Sequence, residues 1–153
     1  MYAVTGLGDL GDISAVIPLV NKLDDENISV RTNALGSLAR IHDESAFRAI
    51  IETLLHSSPE MKCNAAQLLG DTQRREAEGP LLQALRDEEW SVRMSSATAL
   101  GAIKCPGAIE ALIVALDDKD PAVANSAASA LSHITGEKFG NNAAMWREWQ
   151  KNR

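Results

Sequence analysis

Beside many surface carboxylates, five side chains carry the nucleophilic or metal-ligating chemistry that a small enzyme would draw on: His42, His56, His133, Cys63 and Cys105. Such chemistry needs convergence, either a base within hydrogen-bond reach of a nucleophile or three to four donors around one ion. The spacing offers neither. The three histidines are scattered along the chain, and neither cysteine has a histidine at helical spacing to lower its thiol pKa. There is no glycine-rich phosphate loop, Ser–His–Asp set or zinc-protease signature. The residues therefore point to no catalytic group, no metal and no cofactor, and the chain reads as a non-enzyme.

Whether distant residues could still meet depends on the elements that carry them. The chain has 153 residues and is 45% hydrophobic, enough for one domain with a continuous core. Aromatics are only 4%, and the apolar set is mostly Ala, Leu, Ile and Val, as closely packed helices require. A net charge of −6 opposes binding to a polyanion, so no nucleic-acid partner is expected, and no membrane-surface role either. Apolar runs fall well short of the roughly 20 residues of a membrane span, and the N-terminus lacks a basic-then-apolar leader pattern. Two cysteines in neither a metal nor a disulfide pattern suggest a reducing, cytoplasmic compartment.

A step of 31 residues organises the sequence. Leu38 leads to Leu69, Leu100 and Leu131; Ala34 to Ala65, Ser96 and Ala127; Ala15 to Ala46, Ala77 and Ala108; Leu19 to Ile50, Leu81 and Leu112. Within a unit the apolar positions form two stripes at helical spacing, so each unit is a helical hairpin. Pro59 and Pro121 share a column where proline can open the second helix, a column filled elsewhere by Ile28 and Trp90, the latter read as a packing residue. Gly70 and Gly101 mark the junctions that follow the leucines, and Asp12 or Asp43 can cap the next first helix. Pro18 and Pro80 should kink the first helices or delay their start. One hairpin cannot bury two faces, so the units must stack into an all-α solenoid.

The expected organisation is a single domain: a half-repeat at 1–11, full repeats at 12–42, 43–73, 74–104 and 105–135, and a closing segment at 136–153. In the half-repeat, Ala3, Val4, Leu7, Gly8 and Leu10 fall in second-helix columns. An uncovered helix there predicts end-to-end self-association through Val4, Leu7 and Leu10, or a fragment of a longer array.

The pattern Val92-Arg93-x-x-Ser96-Ala97-x-Ala99-Leu100-Gly101 resembles the second helix of HEAT-like repeats, specifically the short type named after phycobilisome lyases. The resemblance extends over residues 1–135 and implies an α-α superhelix. In that family an Asp in the turn and an Arg six places later form a ladder of charge-assisted bonds between repeats. Asp25 with Arg31 and Asp87 with Arg93 fit the pair; His56 with Lys62 and Asp118 with Ala124 depart from it, and Asp118 can instead receive Arg93 from the preceding unit. These residues are read as structural. The tail, with Phe139, Trp146 and Trp149, resembles the C-terminal cap of many bacterial proteins carrying these repeats, although Gln150 stands where a further aromatic is common. A pair of tryptophans also admits a partner-binding reading.

In HEAT-like arrays the second helices line the concave face. The columns left over from the core would point there: Thr32, Cys63, Met94 and Asn125; Asn33, Asn64, Ser95 and Ser126; Gly36, Gln67, Thr98 and Ser129; Arg40, Asp71, Ala102 and His133. The core columns stay constant while these change character, as a scaffold decorated for recognition would show, or simply an unconstrained solvent face. Asn33, Asn64, Gln67 and Met94 are the favoured patch, because amides can pair with peptide backbone and Met adapts to apolar side chains. The expected role is a scaffold or adaptor binding a protein or peptide. The alternative is an accessory subunit of a bilin-lyase-like or other cofactor-handling enzyme, since phycobilisome lyases attach bilins to cysteines of antenna proteins.

Overall fold

The computed structural model describes residues 13–152, and among them there are nine α-helices and no strand. The half-repeat at 1–11, the cap at Asp12 and the terminal Arg153 lie outside the described residues. Four first helices, α1 (Val16–Val20), α3 (Glu44–His56), α5 (Glu78–Ala84) and α7 (Ile109–Ala115), alternate with four second helices, α2 (Ile28–Arg40), α4 (Pro59–Asp71), α6 (Trp90–Ile103) and α8 (Pro121–Thr135). A closing helix, α9, spans Ala143–Lys151. No helix among the described residues is long and apolar enough to cross a membrane.

The recurring columns are the core. The alanine column of the first helices (Ala15, Ala46, Ala77, Ala108), the leucine column of the second (Leu38, Leu69, Leu100, Leu131) and Ala34, Ala65, Ser96 and Ala127 are all buried. Ser96 tolerates this position because its hydroxyl donates to the Val92 carbonyl at 2.8 Å.

Local signals set the helix ends. Pro59 and Pro121 open α4 and α8, and Trp90 opens α6 in the same column. Asn27, Asp43 and Asp120 cap α2, α3 and α8 by accepting from Ser29, Ser45 and Ala122 N–H groups. Pro18 and Pro80 stand third in α1 and α5, each preceded by a 3₁₀ turn (Ile13–Ala15 and Arg75–Ala77), where a missing N–H forfeits no helical bond. The same late start in α7 has no proline in that column; Pro106 opens its 3₁₀ turn, Pro106–Ala108. Among the described residues only α3, with Ala49 in the column, is a full-length first helix.

Gly70 and Gly101 do not mark junctions, as their sequence positions suggested. They lie within α4 and α6, where the next second helix presses against them: a Cβ on Gly70 would lie 3.1 Å from the Ala99 Cα, and one on Gly101 only 2.7 Å from the Ala130 Cα. Second helices thus meet backbone to backbone. The first helices α5 and α7 stand apart and leave a groove of about 1440 Å³ reaching from Leu55 and Pro59 to Val114. Tight stacking on one side and loose stacking on the other bends the array, with the second helices on the inside.

Candidate functional site

The inner face consists of what the core does not use on α2, α4, α6 and α8. Thr32, Arg40, Gln67, Asp71, Thr98, Asn125, Ser129 and His133 are exposed, and Asn33, Gly36, Cys63, Asn64, Met94, Ser95, Ala102 and Ser126 are half-buried. Cys63 and Met94 rest partly on the core. This surface is built mainly of amides, hydroxyls and small residues, with Arg40, Asp71 and His133 as titratable groups in its last column. Between α6 and α8 it sinks into a depression of about 210 Å³ bounded by Thr98, Asn125, Ser126, Ser129 and His133. Thr98 Oγ1 donates to the Met94 carbonyl at 3.0 Å, and Arg40 Nη2 donates to Ser37 Oγ at 3.1 Å. Asn141 Nδ2 donates to Asn125 Oδ1 at 2.6 Å, tying the segment before α9 to the C-terminal end of the face.

The ladder runs along the opposite edge, at the turns within the hairpins; Asp118 receives Arg93 from the preceding unit as expected, and the rest of the wiring differs from the sequence expectation. Inside a unit, the guanidinium does not bond the turn carboxylate. Arg31 Nη1 donates instead to the carbonyls of Asp25 and Glu26 at 2.7 and 3.0 Å, and Arg93 Nη1 to those of Asp87 and Glu88 at 2.9 and 2.8 Å. The turn carboxylates close their own turns, accepting N–H bonds from Asn27, Glu89 and Asp120. Across units the rung links residues 25 apart: Lys62 Nζ to Asp87 Oδ2 at 2.7 Å, and Arg93 to Asp118. Lys62, which sequence set aside as a departure, therefore carries a rung. His56 occupies the position facing Arg31 and lies instead 3.5 Å from Glu52 Oε2, and Ala124 ends the series.

The electrostatics follow this wiring. Arg93 holds the Asp118 carboxyl below its ordinary value by hydrogen bonding that outweighs the opposing effect of burial. At Asp87 burial pushes upward, but the bonds from Lys62 and the Glu89 N–H together prevail, and the carboxyl is also lowered. Asp25 is lowered first by the Asn27 N–H and then by Lys22.

The aromatic cap is a packed unit. Trp146 is fully buried, its ring edge-on to Phe139 at 4.8 Å and to Trp149 at 5.9 Å, and its Nε1 donates to the Gly140 carbonyl at 2.8 Å. Burial removes Trp146 from any pair of surface anchors. Trp90, read as packing, is 44% exposed at the start of α6.

The residues first considered for chemistry stay apart. His42, His56 and His133 are exposed on three different units, and both cysteines are free, Cys105 buried and Cys63 half-buried. Burial, reinforced by Glu78, pushes the Cys105 thiol upward. Among the described residues, no three His, Cys, Asp or Glu side chains are grouped to hold a metal ion.

A family model described as HEAT repeats matches residues 47–132, more than half of the chain. No curated protein matches the chain in sequence. Among solved structures, human deoxyhypusine hydroxylase in complex with glycerol is 31% identical with a TM-score of 0.71, over 80% of this chain and 44% of that one. The complex of CpcE and CpcF of the phycocyanin lyase from Nostoc sp. PCC7120 is 23% identical with a TM-score of 0.69, over 97% of this chain and 61% of that one. An engineered protein is 22% identical with a TM-score of 0.54, over 87% of this chain and 72% of that one. This chain thus spans less than two thirds of the length of the first two.

Proposed function

The chain belongs to the HEAT-repeat family, and on that premise we propose that it is a non-catalytic interaction scaffold holding a protein or peptide segment against its inner helical face. The observation that carries this reading is the contrast between columns. The buried positions repeat almost unchanged through four units, whereas the unburied positions of α2, α4, α6 and α8 form one continuous surface of changing side chains. Its carboxamides, at Asn33, Asn64 and Gln67, supply both donors and acceptors for a peptide backbone, and Met94 offers an adaptable apolar contact. The small neighbours Gly36, Ala102 and Ser129 leave room for a helix or an extended strand. A nucleic acid would require cations in these columns, where only Arg40 stands.

The test is affinity capture from the source organism with wild type and an Asn64→Ala/Gln67→Ala/Met94→Ala variant. A protein retained by the first and lost by the second supports the patch; equal recovery removes it.

The fold likeness to the CpcE–CpcF complex, over 97% of this chain, favours a second reading: an accessory subunit that acts beside a catalytic or cofactor-handling partner. Co-expression with bilin-producing enzymes and antenna acceptor proteins distinguishes the two. Pigment transfer that requires this chain supports the accessory role, and an acceptor that stays colourless across several bilins overturns it.

A further inference from the structure

The groove between the first helices lies on the outer side of the array, away from the inner face. Its floor includes Leu82 and Ala111, both half-buried, and Val114, which is 68% exposed. The corresponding positions in the other units are Asn21, Glu52 and Gln83, so valine here is an exposed apolar group where the repeat otherwise places a polar one. The rim carries Glu88, Glu89 and Glu110, whose carboxylates make no ion pair among the described residues. Of the cations nearby, Lys62 is committed to Asp87 and Arg93 to Asp118 in the ladder, and Arg147 to Asp117 beside it, which leaves Arg86 as the one lining cation outside these pairs, set against three glutamates. Exposed apolar side chains beside a rim with an excess of carboxylates are complementary to one kind of occupant.

We propose that this outer groove binds a short, extended, basic segment of another protein, with Lys or Arg side chains meeting Glu88, Glu89 and Glu110 and an aliphatic side chain seated on Val114. The curvature of the stack creates the space. Because the second helices meet at Gly70–Ala99 and Gly101–Ala130, the first helices are left further apart, and the groove opens between α5 and α7. Crossing two helix spacings of about 10 Å takes about six extended residues. The acidic rim sets the encounter rate and the sign of the partner, and the floor supplies contact that salt does not screen.

The test uses fluorescence anisotropy with three labelled octapeptides: alternating Lys and Leu, alternating Lys and Ser, and alternating Glu and Leu. The expected result is binding of the Lys–Leu peptide, weakened about tenfold in a Glu88→Lys/Glu89→Lys/Glu110→Lys variant by reversed rim charge and severalfold in Val114→Ser by loss of the apolar contact. Equivalent charge reversals at Glu60 and Glu137 should leave it unchanged, as should the inner-face alanine variant, which separates this proposal from the one above. Equal binding of the Lys–Ser peptide, or affinity insensitive to both groove variants, overturns it. So does a wild-type dimer in sedimentation that the groove substitutions dissolve, since the occupant would then be a second copy of the chain.

Discussion

Arg93 of the third unit and Asp118 of the fourth are joined by two parallel bonds, Nε to Oδ2 at 2.8 Å and Nη2 to Oδ1 at 2.9 Å, with both side chains almost entirely shielded from solvent. The same guanidinium closes its own turn through Nη1. One side chain thus fixes both the shape of a hairpin and its register on the next.

Arg93→Ala should lower stability by about 2 kcal/mol, on the scale of hydrogen bonds to charged groups, measured from the urea midpoint at constant m. Arg93→Lys should recover only part of it, because an ammonium cannot span two carboxylate oxygens and two carbonyls at once.

The pair also predicts a pH dependence. Asp118 has a folded-state pKa below its unfolded value, so its contribution is complete above the ordinary carboxylate value of 3.8 and is lost as pH falls through the lowered one. The stability gap between wild type and Asp118→Asn should be constant near neutrality and narrow progressively below about pH 4. A gap that widens on acidification would contradict the wiring.

The missing rung can be supplied. His56→Asp places a carboxylate where Asp87 and Asp118 stand in their units, opposite Arg31, and should raise stability by about 0.5 kcal/mol, the modest scale of a solvent-accessible pair. The gain should vanish in an Arg31→Ala background, as a double-mutant cycle would measure.

Close backbone contact makes Gly101 intolerant of a side chain. Gly101→Ala should destabilise by about 1–3 kcal/mol through overpacking against Ala130. Gly79→Ala, with nothing within 4 Å of the added carbon, should be neutral or slightly stabilising, a contrast that thermal unfolding resolves.

The two thiols should differ in reactivity. Cys63 on the inner face should react with an aromatic disulfide reagent in the folded protein, whereas Cys105, buried with its thiol pushed upward, should react only at the rate of unfolding. Peptide mapping after timed labelling separates them.

The hairpins and their core were legible because a packed helix pair demands the same side-chain size at the same place in every unit, as Leu38 and its three counterparts show. The Arg93–Asp118 link between units was legible too, but the wiring inside each turn was not. A column of residue types cannot tell whether Arg93 reaches a carbonyl or a carboxylate, and it hid Lys62, whose chemistry suffices for a rung although its name breaks the pattern. By sequence Gly70 and Gly101 mark junctions, because glycine often follows a helix, but here the missing Cβ admits a neighbouring backbone. The outer groove had no sequence signal except Val114, since it arises from the curvature of the stack. The candidate inner-face residues could be read from what the core left unused, and the structure adds their exposure and the tie between Asn125 and Asn141.

The absent rung between Arg31 and His56 gives the array a mechanical asymmetry. Held between two anchors and pulled along its axis, it would behave as springs of unequal stiffness in series, with extension concentrated at the seam between the first two units. The stretch bridged by Lys62–Asp87 and Arg93–Asp118 would move as one stiff segment, so a partner gripping that stretch would feel tension as displacement of the other end.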